Sequence, residues 1–115
     1  MFGSTEDTQV TDFSLNVLEQ IIANRVGSTA EKSYTKSLLD AGVARVAKKF
    51  GEEATEAVIA AVSADRASLL AESADVLYHL LVMLKARDLP FADVLGELER
   101  RTSISGHDEK SSRPK

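Results

Sequence analysis

Apolar residues recur along most of this chain at the three- and four-residue intervals of an amphipathic helix. Phe13, Val17, Ile21 and Ile22 stand at i, i+4, i+8 and i+9, with Leu18 beside them. Asp12 or Thr11 is placed to cap this first helix and Gly27 to end it. The pattern predicts a short helix over 32–40, stopped near Gly42, and a longer one from Val43 to Val62. Ser63-Ala64-Asp65 reads as a turn, with Asp65 as N-cap of a helix from Arg66 to Arg87. Leu89-Pro90 breaks that helix, and a last one covers Phe91 to Arg101. β-branched residues nowhere alternate with polar ones over a useful length. The expected fold is all-α, a bundle of four to five helices. Polar, aperiodic residues 1–11 read as a flexible lead-in, 12–102 as one domain, and breaker-rich 103–115 as a disordered tail.

Turning about 100° per residue, Val43, Phe50, Ala54, Ala57, Val58 and Ala61 fall on one side of the third helix and read as its core stripe. Leu70, Ala74, Leu77, Leu81 and Leu84 do the same on the fourth. Glu52, Glu53 and Glu56 lie opposite the first stripe. Acids there are ordinarily solvated, and Lys48 and Lys49 stand four residues ahead of Glu52 and Glu53, the spacing of simple surface pairs. Yet the acidic face runs on into Ile59, Ala60 and Val62. Glu72 and Asp75, neighbours at i and i+3, are likewise set among Leu69, Val76, Leu80, Val82 and Met83. His79 follows one turn later and reads as a core or supporting histidine. Carboxylates beside apolar surface are costly to bury unless paired or metal-bound. A turn this short makes the two helices antiparallel neighbours. Glu56 and Glu72 lie at similar distances on either side of it, so the two acidic clusters match in height.

Composition then limits the chemistry. A length of 115 residues fits one domain. The absence of Cys excludes a disulfide framework, a thiolate metal site and a Cys nucleophile. The net charge of −4 argues against nonspecific nucleic-acid binding, which needs a basic face. No apolar run approaches the ~20 residues of a membrane span, and the N-terminal residues lack the pattern of a signal peptide, so the expectation is a cytoplasmic protein without membrane or nucleic-acid partners. Residues 32–99 carry eleven acids against eight bases. Without the five clustered acids that becomes six against eight, a mildly basic scaffold around a concentrated anionic site. Converging carboxylates call for a hard divalent cation, and Mg²⁺ prefers oxygen ligands. Lys36, Arg45 and Lys49, with the hydroxyls of Ser33, Tyr34 and Thr35, supply what a polyphosphate needs nearby. Scarce aromatics and the nearly all-round apolarity of 66–87 point to an oligomer.

The sequence Glu52-Glu53-Ala54-Thr55-Glu56, fifteen intervening residues, then Glu72-Ser73-Ala74-Asp75 resembles the all-α nucleotide pyrophosphohydrolase superfamily, the MazG-like group. Ser33-Tyr34-Thr35, Val46-Ala47-Lys48-Lys49-Phe50-Gly51 and Asp75-Val76-Leu77-Tyr78-His79 are similar to the phosphoribosyl-ATP pyrophosphatase family, and the likeness continues through Asp93–Arg101. It covers about residues 13–101. The resemblance implies Mg²⁺-dependent hydrolysis of phosphoribosyl-ATP to phosphoribosyl-AMP and pyrophosphate, the second step of histidine biosynthesis. It also implies a homodimer that completes the bundle. Carried onto this chain, Glu53, Glu56, Glu72 and Asp75 are the expected metal ligands, and Glu52 is expected to hold a second metal or orient the attacking water. Lys49 and Lys36, with Arg45, are expected to bind the leaving pyrophosphate, and Ser33 and Thr35 phosphate or ribose oxygens. Two rivals remain open: a house-cleaning hydrolase of noncanonical or deoxynucleoside triphosphates, and a non-enzymatic helical dimerisation module whose acids are surface pairs.

Overall fold

The computed structural model describes residues 11–27 and 33–103. The lead-in expected over 1–11 and the tail expected over 103–115 lie almost entirely outside the described residues. Five helices follow one another: α1 (Leu15–Arg25), α2 (Tyr34–Asp40), α3 (Val43–Val62), α4 (Arg66–Ala86) and α5 (Phe91–Thr102). Among the described residues there is no strand, as the sequence predicts.

The longest two helices, α3 and α4, pack along each other as an antiparallel hairpin. Their turn is built twice over. Ala64 takes a left-handed backbone (φ 59°), and the Ala64 and Asp65 amides donate to the carbonyls of Ala61 and Ala60, closing α3. Asp65 then opens α4, its carboxylate accepting the Ser68 N–H at 3.1 Å. Asp65 is the cap the sequence predicts. Gly42, at φ 98°, lets α2 pass into α3 with almost no linker, in a region closed to residues with a Cβ. The first helix begins later than expected. Ser14, with an extended backbone, caps it by accepting the Val17 N–H, while Thr11 Oγ1 accepts from Phe13 outside the helix. Helix α5 lacks a side-chain cap of its own. Instead Glu19 on α1 accepts the Phe91 N–H at 2.8 Å, tying the two helices together.

The core gathers Ile22, Leu38, Val46, Leu81, Val82 and Phe91, one or two residues from each helix. It lies at the end of the hairpin away from the Ser63–Asp65 turn, where α1, α2 and α5 cover α3 and α4. The expected core stripes are therefore corrected. On α3 the buried residues are Val46, Glu53 and Ala60, spaced by seven, whereas Val43, Val58 and Ala61 are exposed. On α4, Leu81 is buried but Leu70 is 75% exposed. Hydrophobicity alone assigns the acidic seam to solvent. The hairpin instead packs along that seam and leaves its most apolar stripe uncovered.

The expectation that no segment approaches a membrane span also needs amending. Helix α4 has 21 residues and an 18-residue stretch of mean hydropathy 1.4, enough to cross a membrane by length and composition. Leu81 and Val82 on it are core residues of the bundle, and the same helix carries Glu72, Asp75 and His79.

Candidate active site

Three of the predicted ligands converge. Carboxylate oxygens of Glu53 and Glu56 on α3 and Glu72 on α4 lie within 4.8 Å of one another. Glu53 is 8% exposed and Glu72 half-buried, while Glu56 opens to solvent. Asp75 is exposed one turn beyond Glu72, outside this close group. Desolvation raises the Glu72 pKa above its ordinary value, and the charges of Glu56, Asp75 and Glu53 push the same way. Glu72 Oε1 is buried without a hydrogen-bond partner among the described residues. Three hard oxygen donors, one with an unused buried lone pair, fit a divalent cation of the Mg²⁺ type.

Lys49 is bound to this group. Its Nζ lies 3.2 Å from Glu53 Oε2 and 3.9 Å from Glu52 Oε1. The hydrogen bond to Glu53 holds the ammonium pKa above its ordinary value, with a smaller contribution from Tyr34. Of the two pairings predicted by spacing alone, Lys49–Glu53 therefore forms. Lys48–Glu52 does not appear among the ion pairs of the described residues.

Helix α2 walls the other side of the site. Ser33 caps it, its Oγ accepting the Lys36 N–H at 3.0 Å, and Thr35 is fully buried with its hydroxyl against the Tyr78 hydroxyl. Both hydroxyls that the sequence offers for substrate are thus engaged in holding α2 in place. Lys36 turns away to Asp40, reaching both carboxylate oxygens at 3.1 Å. Tyr34, between the two buried residues, projects outward and is 53% exposed. Its ring stacks near Tyr78, and its hydroxyl meets His79. Burial of the phenol raises its pKa, so the hydroxyl keeps its proton. His79 is buried and supports the site without joining the carboxylates, in keeping with its sequence reading.

Between α2 and α3 lies a cleft of about 520 Å³, walled by Tyr34, Leu38, Arg45, Lys48, Lys49 and Glu52. It begins beside the carboxylates, and Arg45, Lys48 and Lys49 give its lining a net positive charge. The sequence offered Tyr34 only as one hydroxyl of the Ser33–Thr35 segment, and Lys48 only as a surface partner of Glu52.

An all-helical bundle with carboxylates gathered between two facing helices is the architecture of the all-α, MazG-like class. Residues 15–102 match the Phosphoribosyl-ATP pyrophosphohydrolase family, and the chain belongs to that family. It is 55% identical over 102 residues to a phosphoribosyl-ATP pyrophosphatase of Agrobacterium fabrum, covering 89% of this chain and 95% of the relative. A phosphoribosyl-ATP pyrophosphatase of Dinoroseobacter shibae is 59% identical over 96 residues, covering 84% and 94%. A third, of Rhizobium meliloti, is 52% identical over 104 residues, covering 90% and 97%.

Proposed function

We propose that this chain hydrolyses phosphoribosyl-ATP to phosphoribosyl-AMP and pyrophosphate, the second step of histidine biosynthesis. The observation that carries the chemistry is the convergence of Glu53, Glu56 and Glu72 beside a cleft of net positive charge. Membership of the family supplies the substrate. Mg²⁺ is the proposed cofactor, held by Glu53, Glu56 and Glu72 with Asp75 beside them. When bound, it supplies charge neutralisation at the phosphate oxygens and Lewis acidity. Glu52, exposed at the cleft mouth, accepts a proton from the attacking water. The water oxygen bonds to phosphorus, the α–β anhydride bond breaks, and the electron pair leaves with pyrophosphate. Lys49, kept cationic by Glu53, offsets the charge that develops on that leaving group.

A homodimer and a cytoplasmic location complete the proposal. Val58, Ile59, Val62, Leu69 and Leu70 expose a continuous apolar end of the α3–α4 hairpin, which a second copy would cover. The deciding experiment is a pyrophosphate-release assay with phosphoribosyl-ATP against a panel of canonical and noncanonical nucleoside triphosphates. Preference for phosphoribosyl-ATP, dependent on Mg²⁺ and lost in Glu56→Gln with helix content intact, is the expected result. Equal or better turnover of another triphosphate would transfer the site to a house-cleaning reaction. Full activity in Glu56→Gln would remove the ligand assignment.

A further inference from the structure

The cleft between α2 and α3 has two unlike walls. Arg45, Lys48, Lys49 and Glu52 stand on α3, which packs along α4 and carries two of the three converging carboxylates. Tyr34, Ser37, Leu38 and Ala41 stand on α2 and its C-cap, at i, i+3, i+4 and i+7, hence on one face. The second wall is the less firmly founded. Helix α3 has 20 residues and α2 only seven, well short of what a helix needs to persist without tertiary contacts. Where α2 stands relative to the carboxylates depends on what grips it.

Part of that grip comes from α4, at the first turn of α2. Two consecutive residues of α2, Tyr34 and Thr35, meet two consecutive residues of α4, His79 and Tyr78. The two contacts differ in kind. Thr35 is fully buried and lines no part of the cleft, so its bond to Tyr78 anchors the fold. Tyr34 is itself cleft wall, so its bond to His79 ends at the cleft. The ring contacts narrow its freedom further. Tyr78 meets His79 edge-on with centroids 4.9 Å apart, and Tyr34 stacks on Tyr78 at 6.3 Å. The other ring nitrogen of His79 lies 2.8 Å from the carbonyl oxygen of Asp75, the residue one turn beyond Glu72. One buried imidazole thus spans from the acidic half of the site to the neutral wall of the cleft.

We infer that His79 is a positioning residue: acting through Tyr34, it sets the distance between the α2 wall and the carboxylates, and so the fit of a substrate lying across both. His79 is not part of the cleft lining and does not touch the reacting atoms. The inference rests on the proposed reaction for its substrate, while the positioning belongs to the fold. Losing the Tyr34 contact leaves the α3–α4 hairpin and its carboxylates in place. Substrate binding therefore suffers more than the chemical step.

The test compares His79→Met and His79→Gln with the unaltered protein. Gln offers a carbonyl oxygen at about the reach of Nε2, whereas Met fills a similar volume with only a weak acceptor. Kinetics on phosphoribosyl-ATP are read beside amide hydrogen exchange of the metal-free protein. Exchange is compared between Ser37 and Ala41, whose amides bond along α2, and Leu81 and Val82 in α4. His79→Met should raise KM about 3- to 10-fold, the scale of one hydrogen bond, with kcat held within about twofold. Exchange should quicken by a similar factor in α2 and not in α4. His79→Gln should recover most of both effects. Tyr34→Phe added to His79→Met should raise KM no further than the larger single effect, because both remove one contact. Unchanged KM and exchange in His79→Met would overturn the inference, as would equal KM in the Met and Gln variants. A fall in kcat matching the rise in KM, or exchange quickened equally in both helices, would reduce His79 to a purely structural residue and overturn it too. If α2 alone opened in His79→Met while the unaltered protein did not turn over phosphoribosyl-ATP, the proposed reaction would fail and the positioning would stand.

Discussion

The Tyr34 hydroxyl lies 3.3 Å from His79 Nε2, joining the first turn of α2 to the middle of α4. The other ring nitrogen, Nδ1, lies 2.8 Å from the Asp75 carbonyl oxygen. A carbonyl only accepts, so Nδ1 carries the imidazole proton and Nε2 accepts from Tyr34. The relationship is directional: α4's own backbone sets the tautomer, and the tautomer sets what α2 must offer.

Tyr34→Phe removes the only donor this nitrogen meets among the described residues. A buried acceptor left unpaired costs about 1–3 kcal/mol. The expected loss is at the low end, about 1 kcal/mol, because the tyrosine is half exposed. Thermal unfolding should show a fall of several degrees. KM for phosphoribosyl-ATP should rise as the ring loosens. A variant with unchanged Tm and KM would show the contact to be idle.

Glu72 makes the metal-free protein sensitive to pH. Its folded pKa is raised above the ordinary carboxyl value, so over the window between the two the folded protein holds more protons than the unfolded chain. The penalty is absent below the ordinary value of 4.5 and grows as pH rises through the raised folded one. In melts without metal, this locus should stabilise the fold as pH falls from above the raised folded pKa toward 4.5. Glu72→Gln should flatten that dependence and raise the metal-free Tm at pH 7 while abolishing Mg²⁺-dependent turnover. A parallel pH profile in the variant would contradict the cause assigned to the shift.

The Glu19 carboxylate substitutes for the missing cap of α5. Glu19→Ala should cost about 1–2 kcal/mol, the usual effect of losing an N-cap. Urea unfolding should show a lower midpoint with an unchanged slope. Glu19→Gln, which keeps an acceptor but loses the charge at the helix N-terminus, should fall between the two.

Leu70 is the most direct probe of the proposed dimer. Leu70→Asp places a charge on the uncovered hairpin stripe without touching the core of one protomer. Sedimentation should show a dimer for the unaltered chain and a monomer for the variant, with helix content retained. Two monomers in that comparison would leave the apolar stripe without its proposed cover.

The helices, their order and the Asp65 cap were legible because each depends on local signals: periodicity, a breaker, a short polar side chain before a helix. The pairing of Glu53 and Glu56 with Glu72 was legible too, since a short turn fixes the relative height of two helices. The side on which α3 packs was not. A helical wheel equates apolarity with burial, and α3 has two packing faces. The more apolar one, through Val58 and Ala61, is open in a single chain. The occupied one runs Val46–Glu53–Ala60, where a carboxylate is tolerated because Lys49 pairs with it and small Ala60 allows close approach. In sequence, Arg45 stood with Lys36 and Lys49 as an expected phosphate-binding cation, and Lys48 only as a surface partner of Glu52. Only the fold separates Arg45 and Lys48 from Lys36, by giving Lys36 a partner in Asp40 and leaving these two facing a cleft.

The turn at Ser63–Asp65 carries a further consequence. Loops on a protein surface ordinarily absorb insertions at small cost. Here one added residue at the start of α4 would rotate Glu72 by about 100° about its axis, out of reach of Glu53 and Glu56, while the hairpin could still form. Two to three residues of apparently ordinary turn thus act as the spacer that phases one half of the carboxylate group against the other. A change in its length would disable the chemistry well before it unfolded the protein.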